Sequence, residues 1–158
     1  MPPGAYLTRD RIARDTAAAF AAEHEGAAGA VVSFLGVVRA DHEGTRHVHA
    51  LRYEGYEGMA QVQVAQLIRD ALRRWSLHAV QVQHRLGRVP VGEVALAAMV
   101  AAAHREEAFA ALRFLVEGIK RDAPIWKQTH YHDGTQAWSG CPEAGVVTPQ
   151  ERPSHAVV

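Results

Sequence analysis

The sequence predicts an α+β domain in which hairpins build a mixed sheet packed by three helices. Three segments carry helical periodicity or capping signals, and each is followed by a pair of extended segments. The resulting order α, ββ, α, ββ, α, ββ argues against a doubly wound sheet, where strands and helices alternate singly. A chain of 158 residues, 48% hydrophobic, is the size of one domain and buries a core without a disulfide or metal staple. Residues 1–140 are expected to form that domain, and 141–158, weakly periodic with several prolines, a flexible tail.

The first helix is expected to begin at Thr8, an N-cap residue followed by Asp10 in the first turn; Ile12, Ala19 and Phe20 give its stripe and Gly26 ends it. Ala27 to Arg39, AAGAVVSFLGVVR, is almost continuously apolar, as a central strand is, and Gly29 and Gly36 mark a bend or bulge. After the Glu43-Gly44 loop, His49, Leu51 and Tyr53 alternate with more polar neighbours, which predicts a second strand in a hairpin with the first. Between Met59 and Trp75, Val64, Leu67, Ile68, Ala71, Leu72 and Trp75 recur at three and four residues, the pattern of an amphipathic helix. Val80 and Val82 then alternate with glutamines, Gly87 to Glu93 supplies a turn, and Val94 to Ala102 is a second buried strand that delivers His104 and Arg105 at its end.

The third helix presents Ala108, Leu112, Leu115, Val116 and Ile119 on one face. It must stop before Pro124, because proline excludes the preceding residue from helical geometry, so Lys120 falls in its last turn. Ile125 to Tyr131 and Gln136 to Trp138 flank Asp133-Gly134 as a final hairpin.

Charge narrows the partners. Lys and Arg number 17 against 17 Asp and Glu, so no global field favours nucleic acid or an anionic membrane. No stretch approaches the ~20 apolar residues that span a bilayer. The sole cysteine, Cys141, cannot form an intramolecular disulfide and fits a reducing compartment, so a cytoplasmic location is expected.

The candidate chemistry is basic. Arg39 stands at a strand end, His104 and Arg105 at another, Lys120 at a helix end and Lys127 just beyond the Asp122-Ala123-Pro124 corner. Such positions are rigid yet reach solvent, which suits a small-molecule site. Each residue alone also has a plainer reading, since cations complement helix C-termini. Lys127 is harder to dismiss, because Pro124 and Trp126 fix the backbone that aims it.

His42, His47 and His49, or His130 and His132, are the material for a metal-dependent hydrolase, but no acidic or cysteine partner stands at a metal-ligand spacing, and no metal is expected. Cys141 has no evident base beside it. Neither a phosphate-binding glycine loop nor a nucleophile elbow is present, and no cofactor is expected.

Five segments in order, GAVVSFLGVVR at 29–39, YEGYEGMA at 53–60, HRLGRVPVGE at 84–93, AHREEAF at 103–109 and IKRDAPIWK at 119–127, resemble the molybdopterin synthase large-subunit family. The resemblance implies an α+β hammerhead-type fold and a homodimer of large subunits within a heterotetramer. Two small ubiquitin-like sulfur-carrier subunits would insert Gly-Gly C-termini into it. The implied reaction moves sulfur from a thiocarboxylate on that tail to cyclic pyranopterin monophosphate, forming the dithiolene of molybdopterin in two rounds.

By motif, Val37, Val38 and Arg39 would line the substrate site, His104 and Arg105 would hold phosphate or pterin, and Lys120 and Lys127 would be catalytic. Gln128 and Thr129 complete the expected binding set. Lys120 is taken as the proton mover or covalent participant and Lys127 as its electrostatic partner. Thr129 is a departure, because the family usually carries glutamate two positions beyond the lysine. The rival within the same fold is a non-catalytic homologue that binds a partner's C-terminal tail in a basic pocket.

Overall fold

The computed structural model describes residues 5–139; Cys141 and the tail expected over 141–158 lie outside the described residues. The elements run β1 (Leu7–Thr8), α1 (Thr16–Glu23), β2 (Ala30–Val37), β3 (His42–Glu43), β4 (Arg46–Gly55), α2 (Glu57–Arg74), β5 (Leu77–Arg85), β6 (Gly87–Pro90), β7 (Val94–Ala102), α3 (Arg105–Asp122), β8 (Ile125–Tyr131) and β9 (Gln136–Ser139). They form two sheets, one of order β1-β5-β7-β2 and one of order β3-β4-β8-β9 with β6 also on β4. Only β1 and β5 run parallel among these pairs, so the predicted α+β class with mixed pairing is what forms.

The centre of the first sheet is β7, all nine residues of which are buried. Leu96, Ala98, Val100 and Ala102 pack with α2 and α3, while Val94, Ala97, Met99 and Ala101 pack with Ile12 and Phe20 on the other face. Covering both faces removes any reason for alternation, hence the unbroken apolar run. The strand read as central from its sequence, β2, is instead an edge, paired to β7 alone. Val32 and Phe34 pack toward the helices and Val31 and Leu35 toward α1, so both its faces are covered too. Apolar composition reports covered faces, whereas lateral neighbours leave no such trace. The expected bulge lies between Gly36 and Val37.

Two further expectations are corrected. β2 and β4 do not form a hairpin; β4 turns back on the short β3 across Gly44, at φ 61°, and belongs to the other sheet. The end of β2 is tied elsewhere, with the Val38 N–H donating to Glu93 O at 3.0 Å and the Gly92 N–H to Val38 O at 2.8 Å. Thr8 does not cap a helix either. It lies in β1, its hydroxyl accepts the Asp10 N–H at 3.0 Å, and α1 starts only at Thr16. A Thr two residues before an acidic residue serves a turn as readily as a helix start. The turn read over Gly87 to Glu93 also contains β6, which pairs with Ala50 to Tyr53 of β4.

Helices α2 and α3 form where the periodicity places them, and Pro124 ends α3 at Asp122 as expected. The corner between α3 and β8 then rests on the end of β4. The Tyr56 N–H donates to Pro124 O at 3.2 Å, and a Cβ on Gly55 would stand 2.6 Å from that same oxygen. Gly55→Ala must push the corner away, and overpacking of this kind costs about 1–3 kcal/mol. A lower urea midpoint with unchanged denaturant slope is the expected readout.

Candidate active site

The corner carries one lysine on each side, Lys120 in the last turn of α3 and Lys127 on β8. Lys120 is on the exposed side of its helix, with Nζ 5.5 Å over the Phe34 ring of β2. Lys127 is half-buried and stands opposite Tyr53 in the β4–β8 register. Its ammonium feels the charges of Lys120, Arg39 and Asp41, so these side chains share one electrostatic neighbourhood.

Burial lowers the proton affinity of Lys127, the Lys120 charge lowers it further, Asp41 opposes this and Arg39 adds to it. Lys120 is lowered by partial burial. Both lysines therefore hold a larger neutral fraction than a solvated ammonium would.

Asp41 is a member that sequence reasoning missed. It pairs with Arg39 at 2.9 Å and supplies a carboxylate beside Lys127, where Thr129 supplies none. Its signal was the Arg39-Ala40-Asp41 spacing just past a strand end. The ion pair is substantially exposed, and such pairs contribute about 0–1 kcal/mol. Asp41→Asn should thus barely change stability. Because Asp41 raises the proton affinity of Lys127, its loss should move the pH profile of Lys127 acylation downward, measured per residue by mass spectrometry.

Other expected residues lie elsewhere. His104 is the residue before α3 and Arg105 its first, both exposed. At the helical rise of 1.5 Å per residue, Arg105 is about 22 Å along the axis from Lys120. One protomer does not bring them together. Val37 ends β2, but Val38 is 1% exposed and packs with Val48, Leu51, Tyr53, Leu86 and Val89, so its side chain is core.

Alternation along β8 separates the remainder. Thr129 shares the face of Lys127 and is buried, whereas Gln128 points to the opposite face and hydrogen-bonds His130 Nε2 at 2.9 Å. On the second sheet, the His42 and His47 rings meet edge to face with centroids 4.4 Å apart, and the His49 ring lies 5.1 Å from that of His132. No group of three or more His, Cys, Asp or Glu that could hold a metal occurs among the described residues. No helix among them is long and apolar enough to cross a membrane.

The sequence matches the family model described as MoaE protein over residues 7–122. The molybdopterin synthase catalytic subunit of Thermoplasma volcanium is 41% identical over 111 residues, which are 70% of this chain and 80% of that protein. The corresponding protein of Nostoc sp. is 37% identical over 125 residues, covering 77% and 75%. Among solved structures, molybdopterin synthase from Staphylococcus aureus superposes with a TM-score of 0.77 at 27% identity, covering 89% of this chain and 99% of that one. A complex of subunits 1 and 2 of molybdopterin-converting factor from Helicobacter pylori shares the fold, with a TM-score of 0.72 at 20% identity over 90% and 97% of the two chains. The family model spans most of the sequence, and the relatives keep this identity over most of their own lengths: the chain belongs to the MoaE family.

Proposed function

We propose that this chain is the catalytic subunit of a molybdopterin synthase. It transfers sulfur from the C-terminal thiocarboxylate of a small ubiquitin-like subunit to cyclic pyranopterin monophosphate, forming the dithiolene in two rounds. The observation that carries the reading is that the charges of Arg39, just past β2, and of Lys120 on α3 both act on Lys127 of β8. A cyclic phosphate and a thiocarboxylate are both anions, and cations must offset their repulsion as water is excluded. Arg39 suits the phosphate, because a guanidinium can bond two oxygens at once. With Cys141 the sole thiol of the chain, the sulfur is best supplied by another molecule.

From the sequence, Lys120 is expected to be the proton mover or covalent participant. Deeper burial and the Arg39 charge favour Lys127 for that role, since both disfavour its charged form, while the repulsion between the two lysines acts on each alike. Lys120 then steadies the charge that develops on the substrate. His104 and Arg105, at the far end of α3 from Lys120, would join this site from the second copy of the chain in a large-subunit homodimer. The test is reconstitution from this protein, a thiocarboxylated small subunit and cyclic pyranopterin monophosphate, with molybdopterin read as its fluorescent oxidation product. Product above the no-enzyme control supports the reading. Tight small-subunit binding without product would replace it with the tail-binding alternative.

A further inference from the structure

The turn between β6 and β7 carries more polar ties than a connection between two strands needs. The Glu93 N–H donates to Pro90 O at 3.1 Å, which closes a four-residue turn, and Gly92 at φ 84° takes the left-handed conformation that such a turn places at its third residue. The Val91 N–H donates to His49 O of β4 at 3.0 Å, and Arg14 Nη2 donates to Gly92 O at 2.5 Å. The turn is therefore held at once from the second sheet and from the segment ahead of α1.

Its last residue also makes an ion pair. Arg85 Nη1 donates to Glu93 Oε2 at 2.5 Å, and Arg11 Nε stands 3.6 Å from Oε1. Arg85 closes β5, next to the buried His84, and its side chain is 13% exposed against 23% for Glu93. Arg85 Nε is buried without a hydrogen-bond partner among the described residues, which leaves the guanidinium reliant on Glu93 for a counter-charge.

The same turn grips the chain that leads into the candidate site. Both backbone bonds of Val38 go to it, one to Glu93 O and one from the Gly92 N–H, and the Val38 side chain is core. On the far side of Arg39, the Val48 N–H donates to Asp41 O at 3.0 Å. Arg39 and Ala40 thus span two fixed points, Val38 on the turn and Asp41 on β4. The half-exposed Arg39 side chain leaves the backbone from between them.

We propose that Glu93 is a positioning residue for Arg39: paired with Arg85, it anchors the turn that fixes Val38, and through Val38 it sets where the guanidinium meets an anionic substrate. This deepens the sulfur-transfer reading and rests on it for the identity of that anion. A guanidinium that bonds two phosphate oxygens at once tolerates only about 0.5 Å of play, so a slackened turn is felt as weaker binding.

The test measures affinity for cyclic pyranopterin monophosphate by calorimetry in wild type, Glu93→Gln, Arg39→Ala and the double variant. Glutamine keeps the size of the side chain and loses its charge. It should weaken binding about 3- to 10-fold when Arg39 is present and less than about 2-fold when Arg39 is absent, because only coupled residues depart from additivity. Equal weakening in the two backgrounds, or none in either, overturns the proposal.

Amide hydrogen exchange supplies a readout that needs neither substrate nor turnover. In Glu93→Gln the Val38 and Gly92 amides should exchange about 3- to 30-fold faster, while Ala98, buried at the middle of β7, keeps its wild-type rate. Unchanged rates at Val38 and Gly92, or an equal rise at Ala98, overturn the proposal. Should Glu93→Gln not fold, Arg85→Lys decides: it keeps the charge and loses the forked donor, and the same local rise in exchange must follow. If wild type does not bind the precursor, the sulfur-transfer reading falls and the exchange rates alone decide whether Glu93 holds the chain at Arg39.

Discussion

Lys120→Ala and Lys127→Ala are each expected to lower molybdopterin formation by about 10²–10⁴-fold, the range of a lost acid–base or charge-stabilising group. The fold should survive both. Lys120 is exposed, and removing the partly desolvated Lys127 relieves an unfavourable burial rather than opening an apolar cavity. Circular dichroism and small-subunit affinity should therefore match wild type while kcat falls. A change confined to KM would assign the lysines to uniform substrate binding, and near-normal turnover in both variants would end the case for their catalytic role. Arg39→Ala makes the useful contrast, because a phosphate ligand should be felt chiefly as weaker precursor binding.

Acid should destabilise this protein before most carboxylates titrate. The folded His84 titrates at about 4, below its ordinary 6.5. The unfolded chain therefore binds the proton first as pH falls. Stability is intact above 6.5, declines through the interval, and levels off below about 4. The separation corresponds to about 3 kcal/mol for this one side chain. Urea midpoints at pH 7.5 and 4.5 should differ markedly in wild type and by clearly less in His84→Gln. Equal pH sensitivity in the two proteins would show that the buried imidazole is not the cause.

Helices α2 and α3, strand β7 and the β8–β9 hairpin were legible because periodicity, Pro124 and Asp133-Gly134 are local signals. The split into two sheets was not, since alternation in β4 says which face is buried and nothing about which strand lies beside it. β1 was invisible for a related reason: two residues carry no period, and their partners His84 and Arg85 are distant in sequence.

In the site, Arg39, Lys120 and Lys127 stood out as charges at element ends. Gln128 was grouped with Lys127 by adjacency, although the period of a strand sends neighbours to opposite faces. The distance from Arg105 to Lys120 was likewise implicit in the length of α3. Asp41 was signalled by its spacing from Arg39 alone, and Tyr53 and His84 had no such signal, because their rings meet only where β4 and β5 pack together.

The shortness of β1 has a consequence for motion. Its segment accepts the His84 N–H at Tyr6 O and the Leu86 N–H at Thr8 O, both at 2.8 Å, and Gln61 Oε1 accepts the Tyr6 N–H at 2.8 Å. So few bonds at a sheet edge open at low free energy, far below that of global unfolding. The other side of β5 is locked onto β7, at the buried centre of the sheet. Alternate amides of one strand thus report two different stabilities, with His84 and Leu86 exchanging by release of the N-terminal segment and the amides facing β7 only when the domain itself opens. The backbone that carries the buried imidazole is therefore fastened on one side to the core and on the other to a latch.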